Sequence, residues 1–163
     1  MTKSSKPSLK SFLTEQGYIK VNLKLTKTHH FEMKATLNGV KGRFILDTGA
    51  SISCVGFEAA EKFKLKAKDS PMKAAGAGAT DMMTQLAKKN TVKIGKWKQT
   101  KVPLVLFDIT HVNTALTSHD AKPVDGIIGA DILNQAKGII DYNKKCLFLK
   151  LAVKKPKAKL DSN

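Results

Sequence analysis

Apolar residues at Ile19, Val21, Leu23 and Leu25 alternate with Lys20, Asn22 and Lys24, the two-residue period of a strand with one buried face. A second alternating run follows in Phe31, Met33, Ala35 and Leu37, and Asn38-Gly39 ends it. Both central positions of a type I′ turn need positive φ, so this pair predicts a tight hairpin. The return strand then spans residues 40–46 and delivers Asp47 at its terminus. Good helix formers over residues 57–65 predict one short helix. Residues 91–97 and 102–107 read as a strand pair, 108–123 as a polar loop, and 124–129 as an apolar run between glycines. A second short helix is expected over 130–137, and a final hairpin pairs 139–142 with 146–151 around Asn143-Lys144-Lys145. Short strands with two small helices and no βαβ alternation predict an all-β barrel or sandwich.

A chain of 163 residues is long enough for one hydrophobic core and too short for two ordinary domains. Its hydrophobic fraction of 42% is spread along most of the length, so a folded core is expected. That core is expected within residues 12–153. Residues 1–11, polar and rich in Ser and Lys, read as a flexible segment, and residues 154–163 as a basic tail.

The net charge of +16, from 29 Lys and Arg against 13 Asp and Glu, raises the question of an acidic partner. It leaves nucleic acid open, but Arg43 is the only arginine and no stacking platform of aromatic and basic residues accompanies the lysines. Lysines decorating a solvated surface account for the charge. Cys54 and Cys146 form no CxxC pair and read as free core thiols. The basic start lacks the apolar run of a signal peptide, and no stretch is long enough to span a membrane. The expected compartment is cytoplasmic, or periplasmic or secreted if a leader has been removed.

The chemistry gathers at Asp47-Thr48-Gly49. Thr48 sets a short hydroxyl beside the carboxylate, and Gly49 lets the backbone approach closely enough to donate its N–H. One carboxylate cannot easily serve as acid and base in a single peptide-cleaving step. Two held about 3 Å apart share a proton, leaving one to activate water and the other to protonate the carbonyl. None of the other aspartates, at 69, 81, 108, 120, 125, 131, 141 and 161, is followed by Thr-Gly or Ser-Gly. The second carboxylate must then come from another copy across a twofold axis. Gly76-Ala77-Gly78 lacks the spacing of a phosphate-binding loop, and His29-His30, His111 and His119 show no ligand pattern. No metal and no cofactor are expected. Ser51 and Ser53 have no base at a recognisable position, which argues against a serine hydrolase.

Three features in order resemble the retropepsin-like aspartic protease family. Phe44-Ile45-Leu46-Asp47-Thr48-Gly49-Ala50-Ser51 is similar to its active-site loop. The glycine-rich stretch 74–80, with Ala75, Gly76, Ala77, Gly78 and Ala79, stands where the family has its flap. Gly126-Ile127-Ile128-Gly129, continuing into Ala130-Asp131-Ile132-Leu133, is similar to the segment backing that loop. More than retroviral members, the Gly-Ala-Asp-Ile-Leu form resembles cellular and bacterial ones, including the domains of the DNA-damage-inducible ubiquitin-shuttle proteins. The resemblance covers about residues 17–151. It implies a closed β-barrel of the acid protease fold with one or two short helices, and a homodimeric endopeptidase acting on polypeptides. Each Asp47 would activate the shared water, Thr48 would brace the two loops, and Gly49 would hydrogen-bond the carboxylates. A catalytically silent peptide-binding module of the same fold is the alternative.

Overall fold

The computed structural model describes residues 6–76 and 79–153; residues 154–163, expected to be a basic tail, and the flap candidates Ala77 and Gly78 lie outside the described residues. Helix α1 (Leu9–Glu15) begins inside the segment 1–11 expected to be flexible. Ser8 starts it with a capping box: its hydroxyl oxygen accepts the Ser11 amide and its own amide donates to the Ser11 hydroxyl, both at 3.1 Å. Leu13 anchors the helix by packing on Cys146 and Phe148.

The expected strand over 19–25 is two strands in two sheets. β1 (Tyr18–Asn22) pairs antiparallel with β11 (Cys146–Lys150), which also pairs with β10 (Ile139–Asp141). At Leu23 the chain crosses over, its amide donating to the Lys145 carbonyl at 2.9 Å. It then joins the larger sheet as β2 (Lys24–Leu25) beside β3 (Phe31–Leu37). A periodic pattern survives such a crossing because both sheets bury the same phase of residues, Ile19, Val21 and Leu23 packing into one cluster.

β3 and β4 (Val40–Leu46) form the expected hairpin, with Asn38 at φ 49° and Gly39 at φ 84°. Asn38 also ties distant segments together: its amide group donates to the Phe63 carbonyl and to Asn90 Oδ1, and its oxygen accepts the Thr91 amide. After β5 (Cys54–Gly56), the helix expected over 57–65 is only a 3₁₀ turn (Phe57–Ala59) followed by tight turns reversing at Lys64, φ 56°. Phe63, fully buried against Phe44 with ring centroids 5.9 Å apart, fixes where the chain must turn.

β6 (Ala67–Gly76), β7 (Ala79–Ile94) and β8 (Trp97–Phe107) form a long meander. The β7–β8 turn is at Gly95-Lys96, not in the polar stretch 98–101 between the two expected strands, and Ile94 pairs with buried Trp97. The 108–123 segment, expected to be a loop, contains helix α2 (Thr110–Thr117). Its signal is the spacing of Ile109, Val112 and Leu116, two of them buried and Val112 packed on the same clusters. β9 (Gly126–Ile128) and α3 (Ala130–Gln135) complete the elements. Among the described residues there are thus three short α-helices where one or two were expected.

The larger sheet runs β2-β3-β4-β9-β5-β8-β7-β6, and an additional β3–β7 pairing joins its two sides. Strands β3, β4, β9, β5, β8 and β7 therefore close into a ring, the expected barrel, filled by Met33, Leu37, Phe44, Phe63, Ile94 and Leu106. The β1-β11-β10 sheet lays Leu147 and Leu149 on that core and its other face on α1. Cys54 and Cys146 are free and buried. Among the described residues no helix is long and apolar enough to cross a membrane.

Candidate active site

β4 and β9 run parallel, with Phe44, Ile45 and Leu46 opposite Gly126, Ile127 and Ile128. The pairing continues past the strand end: the Asp47 amide donates to the Ile128 carbonyl at 3.0 Å, and the Ala130 amide to the Ala50 carbonyl at 2.7 Å. Residues 126–129 thus back the Asp47 loop. Two glycines make the approach possible. A methyl on Gly126 would fall on the Cys54 carbonyl oxygen, and one on Gly129 would stand 2.6 Å from the Ala50 carbonyl oxygen.

Asp47 is half-buried, and its Oδ1 accepts the Gly49 amide at 2.8 Å. Thr48, Gly49 and Ser51 are exposed and Ala50 is half-buried. The far end of the loop is fixed by Ser53, which is fully buried. Its hydroxyl donates to Asp131 Oδ1 at 2.6 Å and accepts the Gly129 amide at 2.8 Å, while its amide donates to the same carboxylate oxygen at 2.9 Å. Ser53 and Asp131 therefore support the loop, a pairing invisible along the chain because 78 residues separate them.

Asp47 opens onto a cleft of about 550 Å³. The β6–β7 hairpin contributes Met72, Lys73, Ala74, Met82 and Thr84 on one side; α2 contributes His111, Val112, Ala115 and Leu116 on another. Val105, Phe107 and Ile127 form the apolar back, with Thr28 and His30 beside the loop. The last described pair of the hairpin is Gly76 with Ala79, so the flap candidates Ala75, Gly76 and Ala79 end its two arms, while Ala77 and Gly78 lie outside the described residues. Residues of α2 and the two histidines were not among the sequence candidates. His30 follows from register, since Phe31 pairs with Leu46 and places the next pair at His30 and Asp47.

Cys54 also lines the cleft. Burial pushes its thiol up to about 12, the Asp131 and Asp47 carboxylates adding to the effect and an Ile127 backbone hydrogen bond opposing it. It is a protonated wall group, not a nucleophile. Asp47 is the one carboxylate lining the cleft among the described residues. None of their His, Cys, Asp and Glu side chains cluster in threes that could hold a metal ion.

Thr48 lines a separate notch of about 340 Å³, shared with Ala130, Leu133, Asn134 and Lys137 of the α3 region and with Ile140 of β10. Among the described residues β10 is an edge strand of its sheet, as is β1 at the other side.

Residues 33–132 match the family described as Aspartyl protease. No curated protein matches the sequence. Among solved structures, the chain is similar to a retropepsin-like aspartic protease from Rickettsia conorii, at 23% identity and a TM-score of 0.55 over 83% of this chain and 91% of that one. The EIAV protease complexed with the inhibitor HBY-793 is similar at 20% identity and a TM-score of 0.51, over 68% and 90%. The retroviral protease-like domain of Ddi1 from Leishmania major is similar at 17% identity and a TM-score of 0.51, over 82% and 99%.

Proposed function

The chain belongs to the aspartyl protease family and has the retropepsin-like fold, and from that premise we propose that it is an endopeptidase whose site is completed by a second copy of itself. The observation that carries this reading is the cleft's single carboxylate: Asp47, oriented by the Gly49 amide, with no second Asp or Glu among the described lining residues.

In the dimer, the two Asp47 loops meet across a twofold axis and their carboxyls share one proton. The ionised carboxylate removes a proton from water as its oxygen attacks the peptide carbonyl carbon. The neutral carboxyl gives its proton to the carbonyl oxygen. The resulting gem-diol collapses, its hydroxyl proton passing to a carboxylate and a proton passing to the departing nitrogen. One water is consumed, and a carboxylic acid and an amine leave. Gly49 holds each carboxylate, and Thr48 braces the loops through the exposed face it presents. Support for this placement comes from the notch beside Thr48, which Ile140 of β10 also lines; β10 has one edge unpaired among the described residues, so this side offers a partner both a recess and a strand to extend. An extended polypeptide lying between the hairpin and α2 is the substrate.

Replacing Asp47 with Asn tests the reading. Cleavage in a broad peptide-library digest at acidic and neutral pH should vanish while the fold and dimer persist. Undiminished cleavage would sink it, and saturable binding without cleavage by the unaltered protein would mark a silent peptide-binding module.

A further inference from the structure

The cleft's walls carry a charge asymmetry that hydrolysis does not require. Among the described residues its titratable lining, apart from Asp47 and the protonated Cys54, is Lys73, His30 and His111. These come from three elements: Lys73 from β6, His30 from the turn before β3, and His111 from the first turn of α2. Among the described residues Lys73 forms no ion pair, its ammonium lying 3.0 Å from the Met83 thioether sulfur. The described partner of the His30 ring is the Thr28 hydroxyl at 3.0 Å. The exposed Asp108 carboxylate, which feels the charge of His111, already accepts the Thr110 amide at 2.8 Å. Between these groups the wall is apolar: Val105, Phe107, Val112, Leu116 and Ile127.

We propose that the cleft selects polypeptide segments in which an apolar side chain is flanked by Asp or Glu. This rests on the protease reading and names the substrate class of the same site. The apolar side chain fills the space between Phe107 and α2, and the neighbouring carboxylates meet the ammonium of Lys73 and the imidazoles of His30 and His111. An imidazole donates a hydrogen bond to a carboxylate in either protonation state and adds charge when protonated. The net charge of +16 works in the same direction at longer range, gathering acidic segments before they dock.

The test uses peptides sharing one apolar core and differing only in Glu, Gln or Lys flanks. Two readouts run in parallel at low and high salt: cleavage by the wild-type protein, and fluorescence-anisotropy binding to Asp47→Asn. Glu flanks should exceed Lys flanks by about five-fold or more at low salt in both, with the contrast shrinking as salt rises. A Lys73→Glu, His111→Gln variant should level it, whereas Lys41→Glu, Lys93→Glu, which changes exposed strand residues outside the cleft lining, should keep most of it. Equal handling of all flanks, preference for Lys, no binding of any peptide, or a contrast that follows the outer lysines overturns the proposal. Binding contrast without cleavage upholds it and removes the protease reading instead, so the two failures are distinct.

Discussion

The hydroxyl of Ser53 donates to Asp131 Oδ1 at 2.6 Å while accepting the Gly129 amide at 2.8 Å. One buried side chain thereby joins the end of the Asp47 loop to the backing segment and to the first turn of α3. The loop is held at both ends, by Gly49 on the carboxylate itself and by Ser53 below.

Ser53→Ala removes a donor and an acceptor at once, leaving the Gly129 amide without its described partner. The expected cost is about 1–3 kcal/mol of unfolding free energy, read as a lowered urea midpoint with unchanged slope. Cleavage should fall as well, because the loop loses its lower anchor. Full stability and full activity together would show that the bond carries neither.

Gly129→Ala sets a methyl 2.6 Å from the Ala50 carbonyl oxygen and near the Ile52 backbone. Backbone cannot swing aside as a flexible side chain can, so the strand and loop must separate, at about 1–3 kcal/mol. Gly95→Ala, with φ +57° but a nearest contact at 3.3 Å from the Ile19 side chain, should leave activity intact. Comparing thermal midpoints and cleavage rates of the two variants checks this. Equal activity in both would mean that the close packing of the Asp47 loop is dispensable.

Cys54 provides a pH signature. Burial raises its thiol from 9.0 to about 12, so the folded protein holds this proton where the unfolded chain releases it. The stability contributed by the neutral thiol is complete below pH 9.0 and is lost as pH rises toward about 12. Cys54→Ser or Cys54→Ala should therefore flatten the decline in stability across that window, measured by urea unfolding from pH 8 to 11. In the native protein the thiol should resist a neutral-pH disulfide reagent, and denaturant should expose it. Rapid native labelling at Cys54 would contradict the assignment.

The hairpin at Asn38-Gly39, the strand ending at Asp47 and the Gly126 to Gly129 segment were legible in the sequence because each rests on local chemistry: a turn that needs positive φ, a two-residue period, and glycines bounding an apolar run. The splitting of residues 19–25 was not, since a strand that changes sheets at Leu23 keeps its alternation. The 57–65 helix failed for a tertiary reason, because burying Phe63 beside Phe44 and reversing at Lys64 outweighs the propensity of Glu58 to Lys62. α2 was hidden by the polar residues around Ile109, Val112 and Leu116. With it went the wall of the cleft, and His111. The tie between Ser53 and Asp131 is long-range and carries no local pattern.

The most direct measurement is peptide cleavage by wild-type protein equilibrated with increasing amounts of Asp47→Asn protein. If each active site takes one Asp47 from each copy, mixed dimers are dead, and a tenfold excess of the variant should cut activity per wild-type chain to about a tenth. Activity per wild-type chain that stays constant through the titration, with exchange of subunits verified, would contradict a site built from two Asp47 carboxylates.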